Sequence, residues 1–144
     1  MAGLFVDNFF PRLVSAKTHG IIDYIHASTN FVAAAIFRGT DKRGSNAALA
    51  LGVSVLANAL MTDYPLGVFR VYSFKTHGIL DYGVAAASAA FPTLLGIKSS
   101  SQRKYFHMQG AGETLIAGVS DYSDNSGKRH RKHMGKVFEG RRAA

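Results

Sequence analysis

The stretch Lys17-Thr18-His19-Gly20-Ile21-Ile22-Asp23-Tyr24 recurs as Lys75-Thr76-His77-Gly78-Ile79-Leu80-Asp81-Tyr82, 58 residues later. The same offset carries Arg12 onto Arg70, Ser15 onto Ser73, Gly52 onto Gly110, Ala59 onto Ala117, and Thr62-Asp63-Tyr64 onto Ser120-Asp121-Tyr122. A chain with this internal match is expected to build one unit twice, without insertion, over about residues 12–64 and 70–122. A unit of this size buries too little surface to be stable alone, so the two copies are expected to pack together in one domain, 1–125. The basic stretch 126–144 follows as a tail expected to be disordered.

Four apolar segments fill the two units: 19–37, 46–62, 77–97 and 110–120. Each copy therefore reads as a helical hairpin, and the pair as an all-α four-helix bundle. A membrane-crossing helix needs about 20 mainly apolar residues. The first and third segments have that length, the second is free of charge over 46–62, and the fourth is the shortest and contains Glu113. A soluble bundle would show an outer face laced with Glu and Lys, and the second segment has none. Charged residues make up 18% of the chain, below the roughly 25% of soluble domains. The small residues of 85–90, with Gly110, Gly112 and Gly118, suit close approach of helices in lipid. The expectation is a four-helix transmembrane bundle in contact with membrane lipids.

Two helices per unit bring both units into a bilayer from the same side, as parallel repeats about an axis along the membrane normal. His19, His77, Asp63 and Asp121 then lie at one depth. Of the 17 Lys and Arg residues, 11 fall on the side of the termini and six in the loops opposite. Basic residues favour the cytoplasm, so both termini are expected to be cytoplasmic. Seven of those 11 lie beyond residue 127, so this orientation rests on the tail.

His19, Asp23, His26 and Asn30 follow helical spacing and form a polar stripe on an apolar helix. His77 and Asp81 repeat its first half, and Val84 stands where His26 would recur. Read structurally, each His–Asp pair satisfies itself and ties its helix start to Asp63 or Asp121, with Tyr24 and Tyr82 in the interfacial belt. Read functionally, ionisable groups in a membrane segment mark a ligand site or pathway. A haem or chlorophyll-type pigment needs one axial histidine, for which His19, His26 and His77 are the candidates. A transporter or proton conductor would use His26, Asn30, Asn58 and Glu113. Asp23-x-x-His26 has the spacing of a di-iron ligand pair, but Val84 removes the second pair, so no metal is assigned.

No catalytic residue is assigned either, since no nucleophile elbow, triad spacing or phosphate-binding glycine pattern is present. With no cysteine, disulfides and thiolate metal sites are excluded. No secretory signal is evident: the first residues lack a basic region, and Leu4-Phe5-Val6 with Phe9-Phe10 reads as a short interfacial segment. The tail from Lys128 to Lys136 suits an anionic surface, lipid headgroups or an acidic partner. It lacks the aromatic interleaving of a specific nucleic-acid binder.

The two His-x-x-x-Asp-Tyr openings, the step Phe91-Pro92-Thr93-Leu94-Leu95-Gly96 late in the third segment, and the linker 62–71 together resemble the SPW-repeat-like group of small bacterial four-helix membrane proteins. The resemblance covers about residues 12–122. It implies a multi-pass protein of the bacterial inner membrane and no established activity. The expected role is a non-enzymatic scaffold or accessory subunit of a larger membrane complex.

Overall fold

In a computed structural model, residues 10–123 are described. The first nine residues and the basic tail, with the expectations attached to them, lie outside that range. Among the described residues the chain is all-α with four helices: α1 (Ala16–Phe37), α2 (Lys42–Met61), α3 (Phe74–Leu94) and α4 (Ser100–Val119). Two short strands, β1 (Thr62–Asp63) and β2 (Tyr72–Ser73), lie between α2 and α3.

All four helices begin before the apolar segments that announce them, because polar caps start them. Ser15 Oγ accepts the Thr18 N–H at 3.2 Å, and Ser73 Oγ accepts the Thr76 N–H at 3.2 Å. Asp41 accepts from the Arg43 N–H and Ser99 from the Gln102 N–H. Such caps satisfy amide groups that have no partner inside the helix. The fourth helix is corrected most: it runs for 20 residues, and its first turns hold exposed Arg103, Lys104 and His107, which hid it from an apolar reading.

At its far end, α3 stops just after Pro92. Gly96 takes a left-handed backbone (φ 61). The Gly96 N–H donates to the Thr93 carbonyl and the Ile97 N–H to the Pro92 carbonyl, at 3.3 and 3.0 Å. This is a Schellman stop, which favours glycine at that position and buries the apolar residue after it. Ile97 is accordingly fully buried.

α1 packs along α2, α3 along α4, and α2 joins the hairpins by lying against α3. The ends of the hairpins are then exchanged. β1 pairs in parallel with β2, Thr62 opposite Tyr72, and an isolated parallel bridge joins Val14 to Ser120. These are the same positions moved by 58. So are the backbone bonds Val71 N–H to Met61 O (2.7 Å) and Leu13 N–H to Val119 O (2.8 Å). The exit of each hairpin is thus stitched to the entrance of the other.

Apolar packing is concentrated at the two ends of the bundle. Ala33, Ala34, Ala47, Ala48, Leu51, Ile97 and Phe106 make one cluster, with Val84 against it. Ala59, Tyr64, Phe74 and Tyr122 make the other. Small residues let the helices approach. A Cβ on Gly110 would stand 2.8 Å from the Ala85 carbonyl oxygen, whereas a Cβ on Gly83 or Gly112 meets nothing within 4 Å. Gly110→Val is therefore expected to push α3 from α4 and cost about 1–3 kcal/mol. Gly83→Ala should be neutral or stabilise by up to about 1 kcal/mol through helix propensity. Thermal unfolding of the two variants checks the contrast.

Candidate functional site

The first turns of α1 and α3 bring four ionisable side chains to one point. His19 and Asp23 are one turn apart on α1, as His77 and Asp81 are on α3, and all four are at most 3% exposed. The two Nε2 atoms lie 3.1 Å apart. His19 Nε2 is 3.3 Å from Asp23 Oδ1 and 3.2 Å from Asp81 Oδ2. His77 Nε2 is 3.3 Å from Asp23 Oδ2 and 3.1 Å from Asp81 Oδ2. Each carboxylate therefore touches both imidazoles, and the two pairs form one cluster across the helix interface.

The far side of each ring is held by the opposite hairpin. Ser120 Oγ is 2.6 Å from His19 Nδ1, and Thr62 Oγ1 is 2.7 Å from His77 Nδ1. These hydroxyls lie 2.6 Å from the helix carbonyls they donate to, Ile116 and Asn58 respectively. A hydroxyl has one hydrogen. Spent on the carbonyl, it leaves the oxygen to accept, so each Nδ1 is the donor. In the neutral rings both Nε2 atoms then carry bare lone pairs that face the carboxylates.

The carboxylates are held unequally. Tyr64 donates to Asp23 Oδ2 at 3.0 Å. Burial, reinforced by the Asp23 carboxylate, pushes the Tyr64 phenol far above its ordinary pKa, so it keeps the proton it donates. Asp81 Oδ1 instead receives Asn58 Nδ2 at 2.8 Å, and Asn58 Oδ1 is fixed by the Tyr72 hydroxyl at 2.6 Å. Asp81 Oδ2 has no partner besides the two imidazoles, and the buried Tyr122 hydroxyl, the residue 58 positions after Tyr64, makes no hydrogen bond. Phe74 and Tyr122 close the cluster from the bundle end, with the Phe74 and His19 rings edge to face at 5.0 Å.

Asp63 and Asp121, expected to anchor the histidines, do not reach them. They sit at the surface, facing Arg70 (3.9 Å) and Arg12 (3.5 Å). Their neighbours Thr62 and Ser120 make the contact instead. Both belong to the repeated Thr/Ser-Asp-Tyr signature, where the charged residue drew the reading away from the hydroxyl. Tyr64 and Tyr122, in the same signature, are the buried tyrosines. Tyr24 and Tyr82 are half-buried, Tyr24 donating to the Leu66 carbonyl.

Further along α1 the stripe stays polar and paired. His26 Nδ1 lies 2.7 Å from Glu113 Oε2. Asn30 Oδ1 accepts from the Tyr105 hydroxyl, to which Gln109 also donates. Asn58 belongs to the Asp81 network and not to this group. The Nε2 atoms of His19 and His77 turn on each other, and His26 meets Glu113 through Nδ1. The alanine face of α3 is packed against Gly110 of α4.

Two of the four helices, Ala16–Phe37 and Lys42–Met61, are long and apolar enough by length and composition to cross a membrane. Comparison with protein-family models, with curated proteins and with solved structures finds no match.

Proposed function

We propose that this chain is an integral membrane protein, a doubled helical hairpin that serves without enzymatic activity as a scaffold or accessory subunit of a membrane complex. The observation that carries the reading is a polar, ionisable interior beneath an apolar outer face. Soluble proteins bury apolar side chains and rarely bury charge. Here the interior holds, between its two apolar clusters, His19, Asp23, Asn30, Asn58, His77, Asp81, Gln102 and Glu113, while Ile25, Ile36, Val53, Leu94, Met108 and Leu115 face outward.

The outer surface is also free of charge over spans of bilayer size. On α1 no exposed charged residue stands between Lys17 and Arg38, and on α3 none stands between Lys75 and Lys98. α2 has none after Arg43. At about 1.5 Å per residue, the first of these spans measures about 30 Å, the thickness of a hydrocarbon core. α4 is the exception, being free of exposed charge only over 105–119, about 22 Å at that rise. Glu113 gives no reason to shelter α4 against another protein, since His26 of this chain already pairs with it.

The absence of a reaction is supported by how the polar groups are used. The cluster is sealed by packed aromatic rings. A groove of about 440 Å³ on the outer face of α1 is lined by Tyr24, Ile25, Ser28, Thr29 and Val32. Its Ser28 and Thr29 hydroxyls donate to the Tyr24 and Ile25 carbonyls, so neither is set up as a nucleophile.

Two measurements test the two parts. Membranes washed with alkaline carbonate are expected to retain the chain, which should leave only in detergent. Recovery as a soluble monomer without detergent would overturn the membrane assignment. After mild solubilisation from native membranes, the chain is expected to elute with a partner in fixed ratio. A lone detergent-bound monomer would overturn the accessory role and leave the membrane assignment standing.

A further inference from the structure

We propose that His19, His77 and Asp23, with Asp81 beside them, form a binding site for one divalent transition-metal ion of the zinc class. The lone pairs of the two rings point at one spot. Ser120 and Thr62 fix both rings so that their Nε2 atoms, when neutral, are acceptors, and two carboxylates converge on the same point. Four electron-pair donors facing each other repel unless cations stand between them. A divalent ion matches the charge of two carboxylates and uses both imidazoles as they are oriented.

The spacing agrees. His19 Nε2 and His77 Nε2 lie 3.1 Å apart, and the Asp23 carboxylate presents Oδ1 to the first and Oδ2 to the second, each at 3.3 Å. The three groups can offer one ligand atom each within a mutual 4.8 Å. Ligands bound at about 2.0–2.1 Å in a tetrahedral zinc site stand about 3.3 Å apart. The two Nε2 atoms and Asp81 Oδ2, with edges of 3.1, 3.2 and 3.1 Å, have that spacing, so an ion slightly out of their plane would reach all three at normal bond lengths with the Asp23 carboxylate alongside.

A second observation points the same way. Asp81 Oδ2 is buried and has no hydrogen-bond donor besides the two imidazoles, whose Nε2 atoms lie 3.2 and 3.1 Å away. The surroundings are those of a metal ligand set: each imidazole gives its other N–H to a hydroxyl, and each carboxylate is oriented by Tyr64 or Asn58. Two nitrogens with carboxylate oxygens suit Zn²⁺, Co²⁺ or Fe²⁺ better than Mg²⁺ or Ca²⁺. The competing arrangement is a metal-free cluster in which protons hold the imidazoles and carboxylates together.

Because the site is sealed, the ion is expected to enter as the helices assemble, which couples loading to folding. The full chain is therefore produced in medium supplied with Co²⁺ in place of Zn²⁺ and purified in detergent. The expected result is about one equivalent of Co²⁺ per chain with the visible absorption of a low-coordinate Co²⁺ centre. Production in Zn²⁺ should give one equivalent of Zn²⁺ and a colourless protein. His19→Gln and His77→Gln are each expected to lower metal content at least tenfold. His26→Ala and the tail variant His130→Ala/His133→Ala should keep it. Less than a tenth of an equivalent in the unaltered, helical chain overturns the proposal, whatever the variants do. So does metal content that follows His26 or the tail histidines.

Discussion

His77→Ala is expected to destabilise the protein by about 3–5 kcal/mol, the cost of removing one partner from a buried ionic group. The alanine would leave Asp23 and Asp81 sharing a single imidazole in a position closed to water, and would strip Thr62 of its ring partner. His19→Ala should cost a similar amount, since its contacts with both carboxylates and with Ser120 repeat those of His77. The two losses should not add. Once one ring is gone the cluster is already broken, and coupling of 0.5–3 kcal/mol is usual for groups that share a network. Asp63→Ala and Asp121→Ala are the contrasting pair, because their exposed partners Arg70 and Arg12 should contribute only about 0–1 kcal/mol each. Denaturant or thermal unfolding in detergent, read by helicity, checks all four variants. A full-sized loss from Asp63→Ala together with a small one from His77→Ala would reverse the assignment of what anchors the helix starts.

The contrast also shows how much was readable in the sequence. The four helices and their order follow from apolar segments and the 58-residue offset. So does the placement of His19 and His77 at one level of the bundle. The near ends of the helices were missed because Ser15, Ser73 and Ser99 act through a single hydroxyl, and hydropathy does not register a cap. The site was half legible. Helical spacing places His19 with Asp23 and His77 with Asp81, but spacing within a helix says nothing about which face meets the other hairpin. The meeting of the two pairs depends on exchanged ends, where residues after α2 pair with those before α3 and residues after α4 with those before α1. That exchange is carried by backbone hydrogen bonds, which leave no pattern in side-chain type. It also explains why Thr62 and Ser120, not the charged residues beside them, reach the rings: the pairing sets them pointing inward.

Gly67→Ala tests that exchange directly and is expected to be among the most damaging single-methyl additions in the chain. A Cβ at this position would fall on the carbonyl oxygen of Thr62, well inside contact distance, with the Tyr64 ring 3.1 Å away. The obstacle is backbone, so no rotamer change relieves it. The turn that runs from Tyr64 to Gly67, closed by the Gly67 N–H to Tyr64 carbonyl bond of 3.0 Å, must open instead. Opening it moves Thr62 away from His77 and Tyr64 away from Asp23, so the methyl group disturbs the cluster without touching it. The expected loss is at or above the upper end of the ~1–3 kcal/mol usual for an overpacked site. Gly44→Ala is the control. Its Cβ would also overlap a neighbour, but that neighbour is Oε1 of Gln102, the far end of a flexible side chain. Gln102 can swing aside at the cost of its bond to Thr40, about 0.5–1.5 kcal/mol, and alanine in a helix returns up to about 1 kcal/mol. Two glycines with equally crowded surroundings should therefore differ by several-fold in effect. Equal melting temperatures for the two variants would mean that the loop does not hold the hydroxyl against the ring.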